Sequence, residues 1–123
     1  MKKNENLLGK LYLIGTPLGN LDDMTFRGVE TLKQVDEIYC EDTRRTSILL
    51  RHFDIEKKSL QSFHDHSPPS ILSKIKKSLL AGKSIGYVTD GGMPVVSDPG
   101  FLLVRMCKEG GIPFTAIPGA TAS

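Results

Sequence analysis

The sequence predicts an α/β domain: a mostly parallel five-stranded sheet with helices on both faces. Short apolar runs alternate along the chain with segments whose apolar residues recur every three or four positions. Most junctions between them hold a glycine, a proline or a residue that caps helices. The glycine-rich stretches follow the strand-like runs, at the edge where open parallel sheets bind ligands.

Lys10 to Gly15 (KLYLIG) is an apolar run closed by glycine and proline, a buried strand. Thr25 caps a helix whose Phe26, Val29, Leu32 and Val35 recur every three positions. Asp36 to Cys40 (DEIYC) reads as the second strand, and Asp42 or Thr43 then caps a helix running through Ile48, Leu49 and His52. Ser59 to Phe63 is the third strand. In SPPSILSKIKKSLLAGK, Ser67 is the expected cap and Pro68 suits the first turn. Ile71, Leu72, Ile75 and Leu79 line one face of that helix, and Gly82 with Lys83 marks its end. Ser84 to Val88 is the fourth strand. Asp98 caps the last helix, with Pro99 in its first turn and Leu102, Leu103 and Met106 on its buried side. Phe114 to Ile117 is the fifth strand.

The totals bound what such a domain does. A chain of 123 residues is long enough for one core and not for two. With 24% charged and 39% hydrophobic residues it is too balanced for disorder, and a net charge of +2 neither demands nor excludes a nucleic-acid partner. Cys40 and Cys107 lack CxxC or Cys/His spacing, which argues against a disulfide framework or a zinc site and fits a reducing compartment. No window is apolar enough to span a membrane, and MKKNENLLGK lacks the core of a signal peptide. A cytoplasmic, membrane-free protein is expected. Residues 1–9 read as a tail, 10–117 as the domain, and 118–123 as the start of a connection to a further, C-terminal domain.

Five stretches fall at the strand ends: GTPLGN (15–20), EDTR (41–44), HDH (64–66), TDGGMP (89–94) and PGATAS (118–123). TDGGMPVVSDPG (89–100) is the least ordinary. A plain strand-to-helix connection needs about two to six residues and little glycine. This one carries its own apolar piece, Pro94 to Val96, between two turns, and so lays bare main chain along a bound molecule.

GTPLGN matches neither GxGxxG nor a P-loop, and Pro17 removes a donor that a phosphate would use. It reads as a turn that lets a flat or cationic ligand approach. EDTR begins 22 positions beyond Gly19, near the offset of a ribose-holding acid, while capping by Asp42 or Thr43 explains it equally well. Arg44 and Arg45 beside two acids form either an ion-pair network or an anion contact. His64 and His66 around Asp65 lack further metal ligands at convincing spacing, so a turn with solvent-facing histidines is the simpler reading and no metal is expected. Lys74, Lys76, Lys77 and Lys83 read as the solvated side of an amphipathic helix, with an RNA backbone as the alternative.

Taken in order, LYLIGTPLGNLDDMTFRGVETLKQVDEIYCEDTR, LLRHF, FHDH, TDGGMPVVSDPG and IPGATA resemble the N-terminal domain of the tetrapyrrole (corrin/porphyrin) methylase superfamily. GTPLGNLDDMT with EDTR is similar to its RNA-modifying branch, the cytidine 2'-O-methyltransferases of small-subunit ribosomal RNA. Two departures stand out: the usual SDAGTP reads TDGGMP, and a PGPSA-like turn reads PGATA. Met93 thereby replaces a polar residue and leaves only a backbone or sulfur contact at that position.

The resemblance implies S-adenosyl-L-methionine in a cleft between this domain and a C-terminal one, a homodimer, and ribosomal RNA as the substrate. Its cofactor contacts map onto Pro17, Leu18 and Gly19, onto Asp90, Met93 and Val96, and onto Thr121 and Ala122. Methylating a ribose hydroxyl calls for a general base. Asp22, Asp23, Glu41, Asp42, Asp90 and His64 are candidates, with Glu41 or Asp42 preferred and Arg44 orienting the base or an RNA phosphate. The chain alone is expected to transfer no methyl group. Competing readings are a methyltransferase of corrinoids or other small molecules and a non-catalytic dimerisation module. An NAD-type domain is undercut by the absent GxGxxG.

Overall fold

A strand covered on both faces needs apolar side chains on both, and Leu11–Gly15 (LYLIG) supplies them as strand β1. The computed structural model describes residues 8–17, 20–56, 59–89 and 98–119. After β1 come a 3₁₀ turn at Leu21–Asp23, α1 (Phe26–Gln34), β2 (Glu37–Cys40), α2 (Thr43–His52) and β3 (Ser59–Ser62). Then follow α3 (Pro69–Leu80), β4 (Ile85–Thr89), α4 (Asp98–Gly110) and β5 (Phe114–Ile117). The five strands form one parallel sheet in the order β3-β2-β4-β1-β5, which bears out the expected α/β class.

Alternation along each strand divides the core into two layers. Leu11, Leu13, Tyr39, Ile85 and Tyr87 meet Ile75 and Leu79 of α3 and Leu103, Met106 and Cys107 of α4. Ile14, Ile38, Cys40, Val88 and Ile117 meet Leu32 of α1 and Leu49 and Leu50 of α2 on the other face. Crossovers in parallel sheets are right-handed, so a chain that reverses direction across the sheet must change faces. It does so here. From β1 it moves outward to β2 and β3 through α1 and α2, then returns through α3 and α4 on the opposite face. Adjacent strands β1 and β4 therefore send their connections to opposite faces, which makes their carboxyl ends the switch point where open α/β sheets hold ligands.

Several local expectations shift. Phe26 and Leu102, expected on buried faces, are 80% and 43% exposed. In α1 the buried set is Gly28, Thr31 and Leu32, followed by Val35, an i, i+3, i+4, i+7 stripe from which Phe26 is turned away. The helix comes close to β1 because Gly28 has no side chain: an added Cβ would lie 2.6 Å from Met24 Cε and 3.6 Å from Ile14 Cγ2. In α4 Leu103, Met106 and Cys107 fill the same pattern and leave Leu102 outside it. Ser67 does not cap α3. The residue before a proline is pushed out of helical backbone, and in Ser67-Pro68-Pro69 this delays the helix, so Pro68 occupies the cap position with no side-chain hydrogen bond. Ser67 Oγ instead accepts the His64 amide at 2.9 Å. Asp98, the expected cap of α4, is already inside that helix.

Candidate functional site

β1 and β4 are joined beyond the end of their ladder. Gly15 lies in register with Thr89. The next residue, Thr16, donates to the Thr89 carbonyl twice, from its amide at 3.0 Å and from its hydroxyl at 2.6 Å. Both threonines are buried. The Thr89 hydroxyl is buried too, yet Thr89 Oγ1 finds no hydrogen-bond partner among the described residues. A buried hydroxyl without a partner is costly to keep, by about 1–3 kcal/mol, and calls for a specific explanation.

The tip of β5 completes the rim. Gly119 is buried against the end of β1, where an added Cβ would sit 3.1 Å from both the carbonyl carbon and oxygen of Gly15 and 3.4 Å from the Thr16 amide. Main chain faces main chain there, closer than a side-chain carbon usually packs. The ends of strands β1, β4 and β5 thus converge as backbone with one orphaned hydroxyl. That arrangement suits a ligand read by amides and carbonyls.

Beside this rim, Cys40 at the end of β2 pairs in register with Val88. Glu41 is exposed at the bend that follows. Asp42 resolves the capping alternatives: its side chain accepts the Arg44 amide at 2.9 Å and caps α2. That hydrogen bond, opposed by desolvation and aided by the Arg44 charge, holds the Asp42 carboxyl below the usual carboxylate range. Arg44 Nε lies 3.5 Å from Asp42 Oδ1 on a side chain that is otherwise out in solvent. A narrow cleft brings the first loop and α2 together, lined by Thr16, Pro17, Leu21, Arg45, Thr46, Leu49 and Val88. Of the expected cofactor contacts, Pro17 is in that cleft. Leu18, Gly19, Asp90, Met93, Val96, Thr121 and Ala122 lie outside the described residues.

Among the other base candidates, Asp22 is engaged by His52, whose Nε2 is 2.8 Å from Asp22 Oδ1. This contact ties the 3₁₀ turn after the first loop to the last turn of α2. His64 sits in a closed turn, its Nδ1 accepting the His66 amide at 3.1 Å. No group of three or more metal-ligating side chains occurs among the described residues. Sequence reading missed Thr16 and Thr89. Each is a threonine bordering a glycine-rich loop at a strand end, and that placement was the available signal.

The sequence pattern of the tetrapyrrole (corrin/porphyrin) methylases matches residues 10–123. The chain belongs to that family. Among curated proteins, the chain is 48% identical over 120 residues to "Ribosomal RNA small subunit methyltransferase I" of Streptococcus pyogenes, covering 98% of the chain and 42% of that relative. Proteins of the same name from Mycoplasmopsis pulmonis and Haemophilus influenzae are 48% and 45% identical, with 94% and 96% of the chain covered and 51% and 41% of the relatives. The chain therefore spans about half or less of the length of these relatives. Among solved structures it is similar in fold to a cobalt precorrin-4 methyltransferase of cobalamin biosynthesis, with a TM-score of 0.73 and 23% identity, covering 91% of this chain and 46% of that one. A uroporphyrin-III-C-methyltransferase from Thermus thermophilus gives a TM-score of 0.68 and 24% identity, covering 92% and 47%. No helix among the described residues is long and apolar enough to cross a membrane.

Proposed function

We propose that this chain is the N-terminal half of an S-adenosyl-L-methionine-dependent methyltransferase that methylates a cytidine 2'-hydroxyl in small-subunit ribosomal RNA. The observation that carries the reading is the convergence of Gly15, Thr16, Thr89 and Gly119 into a backbone-lined rim with an unpartnered Thr89 hydroxyl. Relatives at 45–48% identity, named for ribosomal RNA methylation, support the substrate class.

S-adenosyl-L-methionine supplies a methyl on a positively charged sulfur, so the protein's part is binding, orientation and proton removal. Pro17, Leu18, Gly19, Asp90, Met93, Val96, Thr121 and Ala122 are the residues proposed to hold it, with the Thr89 hydroxyl as a further polar contact. The proton of the ribose hydroxyl passes to a carboxylate at the EDTR corner. Glu41 is the preferred candidate, because Asp42 Oδ1 accepts the Arg44 amide at the helix cap and its carboxyl is held below the usual carboxylate range. Arg44 and Arg45 bring positive charge to an RNA phosphate at the same corner. A homodimer in a cytoplasmic setting belongs to this proposal.

The test is methyl incorporation by the full-length protein into undermethylated small ribosomal subunits, with a corrinoid acceptor in parallel. Transfer to a cytidine ribose is the expected result. Transfer to the corrinoid alone would replace this reading with a small-molecule one, and failure to bind S-adenosyl-L-methionine would leave only a non-catalytic module.

A further inference from the structure

A second recess lies off the rim, between α2 and β3. It is a cavity of about 250 Å³ lined by Ser47, Leu50, Arg51, Asp54, Ile55 and Leu60. Leu50 and Ile55 are almost wholly buried and, with Leu60, give it an apolar floor. Its polar groups are a hydroxyl, a guanidinium and a carboxylate. Arg51 and Asp54 are three residues apart and border the same space, yet neither side chain makes a hydrogen bond or ion pair among the described residues. Their backbone is nevertheless well held. The Asp54 amide donates to Arg51 O at 3.1 Å and the Ile55 amide to Leu50 O at 2.8 Å. Asp54 takes φ 55°, a left-handed conformation that aspartate tolerates better than most residues.

The recess is linked to the EDTR corner by one helix face. Arg44, Ser47 and Arg51 stand at i, i+3 and i+7 on α2, a single stripe about 10 Å long at the helical rise. The helix sequence TRRTSILLRH contains three arginines and a histidine and no acid. A polyanion whose reacting unit lies at the EDTR corner would meet this stripe next.

Resting on the ribosomal RNA reading above, we propose that the α2–β3 cavity is a subsite for an unpaired base of the substrate RNA beside the methylated nucleotide. The apolar floor takes the face of the base, and Arg51 takes its phosphate. The Asp54 carboxylate accepts from an exocyclic amine, as acids do from cytosine N4. The subsite therefore favours cytosine or adenine over uracil.

The experiment uses the full-length protein with short fluorescent oligocytidylate and oligouridylate, together with undermethylated small subunits. Arg51→Glu should weaken oligocytidylate binding at least tenfold and raise the KM for subunits, with kcat and S-adenosyl-L-methionine affinity unchanged. The slope of log affinity against log salt should fall by about one. Asp54→Gly, which keeps the positive φ available, should erase the preference for cytidylate. Wild-type affinity and salt slope in Arg51→Glu would overturn the subsite while leaving the methylation reading intact. Early melting or lost S-adenosyl-L-methionine binding in both variants would make the cavity structural and overturn it as well. If the wild-type protein binds neither RNA nor subunits, the ribosomal reading fails and takes the subsite with it.

Discussion

Thr16 and Thr89 meet across the carboxyl ends of β1 and β4, with the Thr16 hydroxyl 2.6 Å and its amide 3.0 Å from the same Thr89 carbonyl. That oxygen is doubly satisfied while the hydroxyl of the same residue has no partner among the described residues. The two halves of Thr89 thus differ: its carbonyl joins the strands, while its buried hydroxyl is left for a role of its own.

Thr89→Val should separate them. Removing an unpaired buried hydroxyl is neutral or stabilising for the fold, so the melting temperature should hold or rise. Affinity for S-adenosyl-L-methionine, followed by calorimetry on the full-length protein, should drop several-fold. Unchanged affinity would show that this hydroxyl does not serve the cofactor. Thr16→Val removes the side-chain donor and should lower stability by about 1 kcal/mol.

Gly119→Ala should be poorly tolerated. Its methyl would press on the Gly15 carbonyl at 3.1 Å, and backbone there yields less readily than a side-chain end. A loss of about 1–3 kcal/mol is expected from forcing atoms into a filled site. Chemical denaturation measures it, and a variant as stable as the parent would mean that the tips of β1 and β5 are not in contact.

At the EDTR corner, cap and base can be pulled apart. Asparagine caps a helix as well as aspartate does, so Asp42→Asn should fold normally and keep most of its turnover. Glu41→Gln should cut kcat by about 10²–10⁴-fold, the usual worth of a general base. Turnover that falls in Asp42→Asn and survives in Glu41→Gln would reverse the assignment. The pH dependence of stability offers a second check. The Asp42 pKa is lowered on folding, so its contribution is present above the unfolded value of about 3.9 and fades as pH drops through the lowered one. Asp42→Asn should lack that acid-side loss.

Cys107 is wholly buried, and desolvation pushes its thiol up to about 11. A thiol held neutral is a poor nucleophile. In the folded protein at pH 8 neither Cys107 nor the buried Cys40 should react with a thiol-directed reagent, whereas both should do so in denaturant. Because the folded pKa is raised, the stabilising effect is complete below the unfolded value of about 8.5 and is lost as pH climbs toward 11. Rapid labelling under native conditions would contradict this burial.

Much of the fold was readable along the chain. Strand runs such as KLYLIG and the cap at Thr25 are local signals, and each appears where the residues place it. Helix phase was less readable. A large Phe26 weighs heavily in a hydrophobicity pattern, while Gly28 and Thr31, which face the sheet, do not. Close packing there depends on small residues, so the true stripe was muted in the sequence. The α2–β3 cavity had no local mark, since Ser47 reads as an ordinary helix residue and Arg51 and Asp54 as ordinary helix-end residues until Leu60 of another element closes the space.

By itself, the sequence determined the alternation of strands and helices, a mostly parallel α/β class and the crowding of glycine at the strand ends, because periodicity and turn chemistry act over a few neighbouring residues. Only the tertiary structure decided which ends are neighbours. Thr16 and Thr89 are 73 positions apart, and they meet because the crossovers insert β4 between β2 and β1 and reverse the direction of travel. Long-range strand order follows from how helices of fixed hand cover both faces of one sheet. That packing choice, absent from any local stretch, builds the rim.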